Sequence, residues 1–306
     1  MRVLRGFRLL WQFLASHPLV AAIGVFLLGC TLSLSTVQLV MTHQDEERWQ
    51  HFNELADRAT RQLKRRITTY EFGLRGFRGF VIGAGHDRLT RAKVAEYAAS
   101  RSYATEFPGA LGFGFIRRVP AAGVAEFVVR ERRTDWPDYT VKSFGDHRHD
   151  RWLIQYIEPY ADNRAAIGLD VASHENRRQA VVRAVRQNRA MLSEPVTLIQ
   201  RANLHNRGFI MVLPIYTSGF VPGLPEDRWQ QAVGLAYAPV FIDETMRNFD
   251  FRNGEFALQL SARTADGREE VFYTSSGFRE PAASRLERRR PIQLNGQTWL
   301  LHYKAR

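Results

Sequence analysis

The stretch WQHFNELADRATRQLKRRITTYEFGLRGF (residues 49–77) decides the architecture. Its apolar residues fall at Trp49, Phe52, Ala56, Ala59, Leu63, Ile67, Tyr70, Leu74 and Phe77. Every step is three or four residues, which lays them in one stripe along an α-helix and leaves polar residues on the opposite face. The helix is expected over 45–82. Gly73, Gly76 and Gly79 weaken it, and GAGHD (83–87) ends it. A helix of about 35 residues either packs along a domain or pairs with a copy of itself, and the stripe alone does not choose.

Upstream, no residue from Leu9 to Gln44 carries a charge, and PLVAAIGVFLLGCTLSLSTVQLVM (18–41) is apolar almost throughout. A bilayer needs about 20 such residues in a helix. Arg2, Arg5 and Arg8 precede the run, and Asp45, Glu46 and Glu47 follow it. The positive-inside rule puts residues 1–17 in the cytoplasm and everything after 45 outside. A cleaved signal peptide is the alternative. Its apolar core is shorter than this one, and no A-x-A site follows.

Downstream the period changes. ALGFGFIRRV (110–119), PVTLIQ (195–200), GFIMVLPIY (208–216) and AVGLAYAPVFI (232–242) read as strands, the last two joined by a polar, proline-rich loop at 217–230. A helix at 174–188 is expected, with Ser173 as N-cap and Asn188 at its end. Asp266–Gly267 and Asn295–Gly296 mark two hairpins, 256–263 with 269–275 and 291–294 with 298–304. These form a second, smaller sheet, joined to the first by 243–254.

Composition narrows the function. The 306 residues carry a formal charge of +12, and arginine supplies nearly all of it, since the lysines are Lys64, Lys93, Lys142 and Lys304. The arginines are scattered except at RQLKRR (61–66) and RLERRR (285–290), so no nucleic-acid partner is expected. Cys30 is the one cysteine, which excludes an intrachain disulfide framework and a cysteine-based zinc cage.

The densest polar chemistry lies in YIEPYADNRAAIGLDVASHENRRQAV (156–181). Paired acid catalysis needs two carboxylates converging on one cleft. Glu158 precedes a proline, Asp162–Asn163 reads as a turn, and Asp170 begins a loop into a helix. Each has a structural explanation, and no catalytic residue is expected. Arg177 and Arg178 stand in the first turns of the helix, where a cation is mildly unfavourable. Either Glu175 and solvent screen them, or one faces a pocket to meet an anionic or carbonyl-bearing ligand. HRHD (147–150) reads as a solvated loop rather than a metal site. GAG (83–85) and GFG (112–114) lack the lysine and hydroxyl of a phosphate cradle, and Ser193 and Ser218 lack visible triad partners. Neither metal nor cofactor is expected.

Five segments in order, YEFGLRGFRGFV (70–81), FPGALGFGFIRRV (107–119), YIEPYADNRAAIGLDVASHENRR (156–178), LSEPVTLIQ (192–200) and GFIMVLPIY (208–216), resemble the CHASE domain over roughly 47–249. This is the extracytoplasmic sensor of bacterial and plant receptor kinases and cyclases. The resemblance implies an α+β fold: an N-terminal transmembrane helix, a long stalk helix and two PAS-like antiparallel-sheet subdomains. The expected organisation is 1–17 cytoplasmic, 18–41 transmembrane, 45–82 stalk, 83–242 membrane-distal and ligand-binding, and 243–306 membrane-proximal. Glu158, Asn163, Gly168 and Asp170 then look like pocket scaffold, and Tyr156, Arg177, Arg178, Ile199 and Val212 are the candidate ligand contacts. Plant cytokinin-binding members are expected to hold adenine with a carboxylate near this helix start. Arg177 takes that place here, which argues against such a ligand.

The implied function is a small-molecule sensor, dimeric through the stalk, signalling to a histidine kinase, diguanylate cyclase or phosphodiesterase. The family continues into such an output through a second membrane helix, expected after LLHYKAR (300–306). The chain is then a fragment or acts through a partner. The alternatives are a membrane-tethered envelope hydrolase using Glu158 and Asp170, and a structural envelope protein without a pocket.

Overall fold

Helix α1 runs from Pro18 to Ala84 in one piece. Between Pro18 and Pro108 the sequence has no proline, so nothing removes an internal hydrogen bond. The apolar run and the stalk are therefore consecutive parts of one helix. Gly85, at φ 78°, ends it. The computed structural model describes residues 18–198, 207–264, 267–280 and 286–306. By contacts the chain divides into Met1–Leu55 and Ala56–Arg306.

In the first unit the described residues are helical from Pro18 onward. Leu19, Val25, Phe26, Leu28 and Leu39 all stand exposed. One 18-residue stretch has a mean hydropathy of 1.7 and no buried residue, which is the composition of a helix made to face lipid.

The second unit is α+β, as its sequence predicts. Its helices are α2 (Arg91–Ala99), α3 (Tyr103–Glu106), α4 (Val124–Thr134), α5 (Tyr160–Asn163), α6 (Glu175–Gln187), α7 (Pro225–Gln231) and α8 (Ile242–Met246). The strands are β1 (Phe113–Val119), β2 (Arg151–Glu158), β3 (Met191–Leu192), β4 (Val196–Thr197), β5 (Arg207–Tyr216), β6 (Ala232–Phe241), β7 (Phe256–Arg263), β8 (Glu269–Thr274), β9 (Glu287–Leu294) and β10 (Gln297–Ala305). The first sheet has the order β2-β1-β6-β5-β3, with β4 also on β5, and the second β8-β7-β10-β9. All pairings between these strands are antiparallel.

The stripe read from the sequence is the side of α1 that packs. Ala56, Ala59, Leu63, Ile67, Tyr70, Leu74 and Phe77 are buried, and Val81 extends the row. Full burial of such a large side chain contributes about 1.5–3 kcal/mol. Both sheets meet this stripe. The Tyr70 hydroxyl donates to Pro108 O and contacts Thr245 Oγ1 on α8 at 3.0 Å, while the Thr60 hydroxyl meets that of Tyr303 on β10. Gly73 is a notch: a Cβ there would stand 2.3 Å from the Phe113 ring and 2.7 Å from Phe107.

The turn between β9 and β10 has Asn295 at φ 44° and Gly296 at φ 81°, the left-handed pair that a tight hairpin requires. It docks on the first sheet. Asn295 O accepts from Leu192 N at 2.8 Å, Asn295 Nδ2 donates to Ala190 O and to Glu71 Oε2, and Gln297 Nε2 donates to Leu192 O.

Three local expectations change. Ser173 does not cap α6: it closes a short 3-10 turn with its hydroxyl on Asp170 O, and His174 stands at the cap position without a side-chain bond. The loop at 217–230 contains most of α7, whose first residue, Pro225, suits a helix start. The strand expected at 195–200 is described only as Val196–Thr197. Ile199 lies outside the described residues, as does Asp266 of the first predicted hairpin turn.

Candidate functional site

β2 is the edge strand of the first sheet, and residues 167–170 pair along its free side. Ile154 N donates to Leu169 O and Gly168 N to Ile154 O, while on the other side Asp170 N donates to Lys142 O. Gly168 must be glycine here: it has φ 81°, and a Cβ would stand 1.9 Å from Thr140 O.

This pairing fixes Asp170, which has no exposed surface. Its Oδ1 accepts from Trp152 N and Ala172 N at 3.0 and 3.1 Å. Oδ2 meets His147 Nε2 at 2.8 Å and Arg151 Nη1 at 3.3 Å. With four donors around it, the carboxylate ties the 142–150 loop to β2 and to the turn before α6. Glu158 sits at the far end of the strand, where its Oε2 accepts from Tyr160 N at 2.7 Å. Six residues of strand, about 20 Å, separate Trp152 from Glu158. The two carboxylates belong to separate networks and do not face one cleft. Asn163, fully buried, donates from Nδ2 to Leu111 O and Pro159 O.

Arg177 lies in the first turn of α6 and is only 4% exposed. Its Nη2 donates to Thr197 O at 3.2 Å, and its Cζ sits 4.7 Å from the centre of the Phe144 ring. Nε is buried and has no acceptor. Burial lowers the guanidinium pKa to about 10, the direction expected when no anion compensates lost hydration. Beside it, burial and then the Arg177 charge push His174 below its ordinary value. Arg178, by contrast, turns to the surface and pairs with Glu175 Oε2 at 2.6 Å. Val212 is fully buried on β5, opposite Met191 on β3 and Tyr237 on β6.

Tyr156 belongs to a different cluster. Its hydroxyl donates to Asp135 Oδ2 at 2.6 Å, lies 3.1 Å from Leu89 O and accepts from Gln155 Nε2. Gln155 bridges Glu131 Oε1 at 2.9 Å and Arg117 Nε at 2.8 Å, and Arg117 Nη1 reaches Asp87 at 2.9 Å. Sequence reading missed this network. Its signal was Arg117 in the alternating run FIRRV, a charge at an inward strand position. Glu131 gave none, because one acid in an arginine-rich helix looks like solvated surface.

A groove of about 580 Å³ opens beside β2, lined by Arg91, Trp136, Tyr160, Lys142, Arg164 and Asp162 among others. Arg91 lies 4.4 Å from the centres of both the Trp136 and Tyr160 rings. Of the expected ligand contacts that are described, Tyr156, Arg177, Arg178 and Val212, none lines this groove. Among the described residues no cluster of His, Cys, Asp and Glu could hold a metal ion.

The CHASE domain profile matches residues 87–273. The chain belongs to the CHASE domain family, whose members are sensor domains. No curated protein matches it significantly. Among solved structures it is similar to an extracellular ligand binding receptor from Desulfohalobium retbaense DSM5692, with a TM-score of 0.52 and 12% identity. That match covers 83% of this chain and 40% of the receptor, so the chain spans well under half of that structure's length. Weaker likenesses reach the ligand binding domain of the Pseudomonas aeruginosa PAO1 amino acid chemoreceptor PctC in complex with GABA (TM-score 0.42, 11% identity, 83% of this chain and 98% of that one). The periplasmic sensory domain of the Campylobacter jejuni chemoreceptor Tlp1 is similar at a TM-score of 0.45 and 10% identity, over 84% and 93% of the two chains. At such identities the first likeness speaks for the fold alone.

Proposed function

We propose that the protein is a membrane-anchored extracytoplasmic sensor that binds a small molecule in its first-sheet subdomain (83–242). Family membership supports the sensor role. The observation that carries the mechanism is helix α1, which contains both the apolar segment and the stripe packed on the two sheets. A ligand that prefers one arrangement of the sheets shifts the population of helix positions and so the signal. Residues 243–306 form the membrane-proximal relay. Arg2, Arg5 and Arg8 hold the N-terminus in the cytoplasm, and two copies pair along the stalk. A histidine kinase, diguanylate cyclase or phosphodiesterase reads the output.

In this reading Arg177 contacts ligand, with Val212 in the wall and Arg178 at the rim; Ile199, the other expected wall residue, lies outside the described residues. Glu158, Asn163 and Asp170 frame the pocket. Tyr156 supports it from the Asp135 cluster rather than beside Arg177.

The test is a thermal-unfolding screen of the full chain in nanodiscs against a metabolite panel of acids, amines, sugars and nucleosides. A saturable rise in Tm, with altered hydrogen exchange over residues 56–84, is the expected result. No shift with any compound would remove the ligand-sensing role.

A further inference from the structure

A buried arginine in a folded protein is ordinarily paired with a carboxylate. Arg177 is not. The acids nearest in sequence are committed elsewhere: Glu175 to Arg178 and Gln179, Asp170 to His147 and Arg151. Of the five N–H donors on a guanidinium, one has an acceptor among the described residues, and Nε is sealed from solvent with none. Phe144 covers one face of the group, which leaves its edge as the place for a partner.

That edge stands at the start of α6. Side chains on a helix lean toward its N-terminus, and Phe144, which covers Arg177, has its ring centre 5.7 Å from that of His174 at the cap position. No side chain caps this helix. The first intrahelical acceptor is His174 O, bound by Arg178 N, so the amides of Glu175, Asn176 and Arg177 have no acceptor within the helix. Three amide donors, the positive end of a 13-residue helix and a guanidinium without a carboxylate partner among the described residues thus share one small region.

We propose that Arg177 and the first turn of α6 form an anion site, and that the sensed molecule carries a carboxylate or phosphate group. This rests on the ligand-sensing reading above and names the chemistry of that site. A planar anion takes two N–H donors along the guanidinium edge, while a neutral ligand leaves the buried charge uncompensated.

The test compares wild type, Arg177→Met and, as control, Arg133→Met, an exposed arginine on α4, as full chains in nanodiscs. Inorganic phosphate and acetate are titrated at constant ionic strength, and the nucleosides and sugars of the panel serve as neutral probes. Phosphate or acetate is expected to raise Tm saturably in wild type and Arg133→Met, with the midpoint at least about tenfold higher or lost in Arg177→Met. Without anion, Arg177→Met is expected to unfold at or above the wild-type temperature, because an unpaired charge leaves a dry site. An equal anion response in Arg177→Met overturns the proposal. So does a large fall in Tm of that variant without anion, which makes Arg177 a strut. If a neutral probe alone stabilises the chain, the anion site fails and ligand sensing stands. If nothing in either set does, both fail.

Discussion

Thr60 on the long helix and Tyr303 on the last strand share a buried hydrogen bond of 2.8 Å across 243 positions of sequence. The Thr60 hydroxyl already donates to Ala56 O at 2.7 Å, so Tyr303 supplies the proton between them. Burial raises the Tyr303 pKa to about 12, and the proton stays in place at any physiological pH. Tyr303→Phe keeps the ring and removes the donor. The expected loss is about 1 kcal/mol, or a Tm lower by about 2–4 °C in a domain of this size. Thermal unfolding of wild type and variant in the same nanodiscs measures it.

Two glycines of the same helix are expected to respond in opposite directions to one methyl group. At Gly73 a Cβ would collide with the rings of Phe113 and Phe107, whereas at Gly79 it would meet nothing within 4 Å. Gly73→Ala therefore costs about 1–3 kcal/mol as overpacking. Gly79→Ala stabilises by about 0.5–1 kcal/mol through the helix preference of alanine. If both variants moved Tm the same way, the ring contact at Gly73 would not be what decides.

Glu131 sets a pH dependence. It is 2% exposed, and its Oε2 has no partner. Burial pushes its pKa above the ordinary 4.5, against the hydrogen bond from Gln155 and the charges of Arg130 and Arg117, with Asp135 adding to the rise. The folded chain therefore keeps this proton at a pH where the unfolded chain has released it. Stability from the group is complete below the unfolded value and declines as pH climbs through the folded one. Glu131→Gln removes that decline. Between about pH 4 and pH 7 the Tm of wild type should fall relative to the variant. Parallel curves would mean the carboxyl ionises alike in both states.

Legibility in the sequence follows the type of burial. The α1 stripe and the Asn295–Gly296 hairpin could be read because one has a one-sided period and the other a backbone conformation that few residues accept. β2 could not. Its residues Trp152 to Ile157 are all buried, so RWLIQYIE shows no alternation, as expected for a strand covered on both faces. Helices α2 and α4 bury only Val94 and only Phe127 and Glu131, too little for a period to stand out. At the site, Arg177 was legible as a cation in an unfavourable helix position. Its burial was not, because Phe144 and Thr197 reach it from distant parts of the chain. The separation of Tyr156 from Arg177 was hidden for the same reason: Asp135 and Leu89 meet the one, Thr197 and Phe144 the other, and all four are distant in sequence.

The Asn295 turn has a mechanical meaning. One amide touches the long helix at Glu71 and the first sheet at Ala190, from a residue that belongs to the second sheet. Three bodies are pinned at one point, and bonds at Leu192 from the neighbouring backbone and from Gln297 reinforce it. Sliding the second sheet by a single residue would break all of these at once. The turn thus acts as a pin, and the contacts of Phe209 with Trp299 and of Arg207 with Glu270 fasten the two sheets at further points.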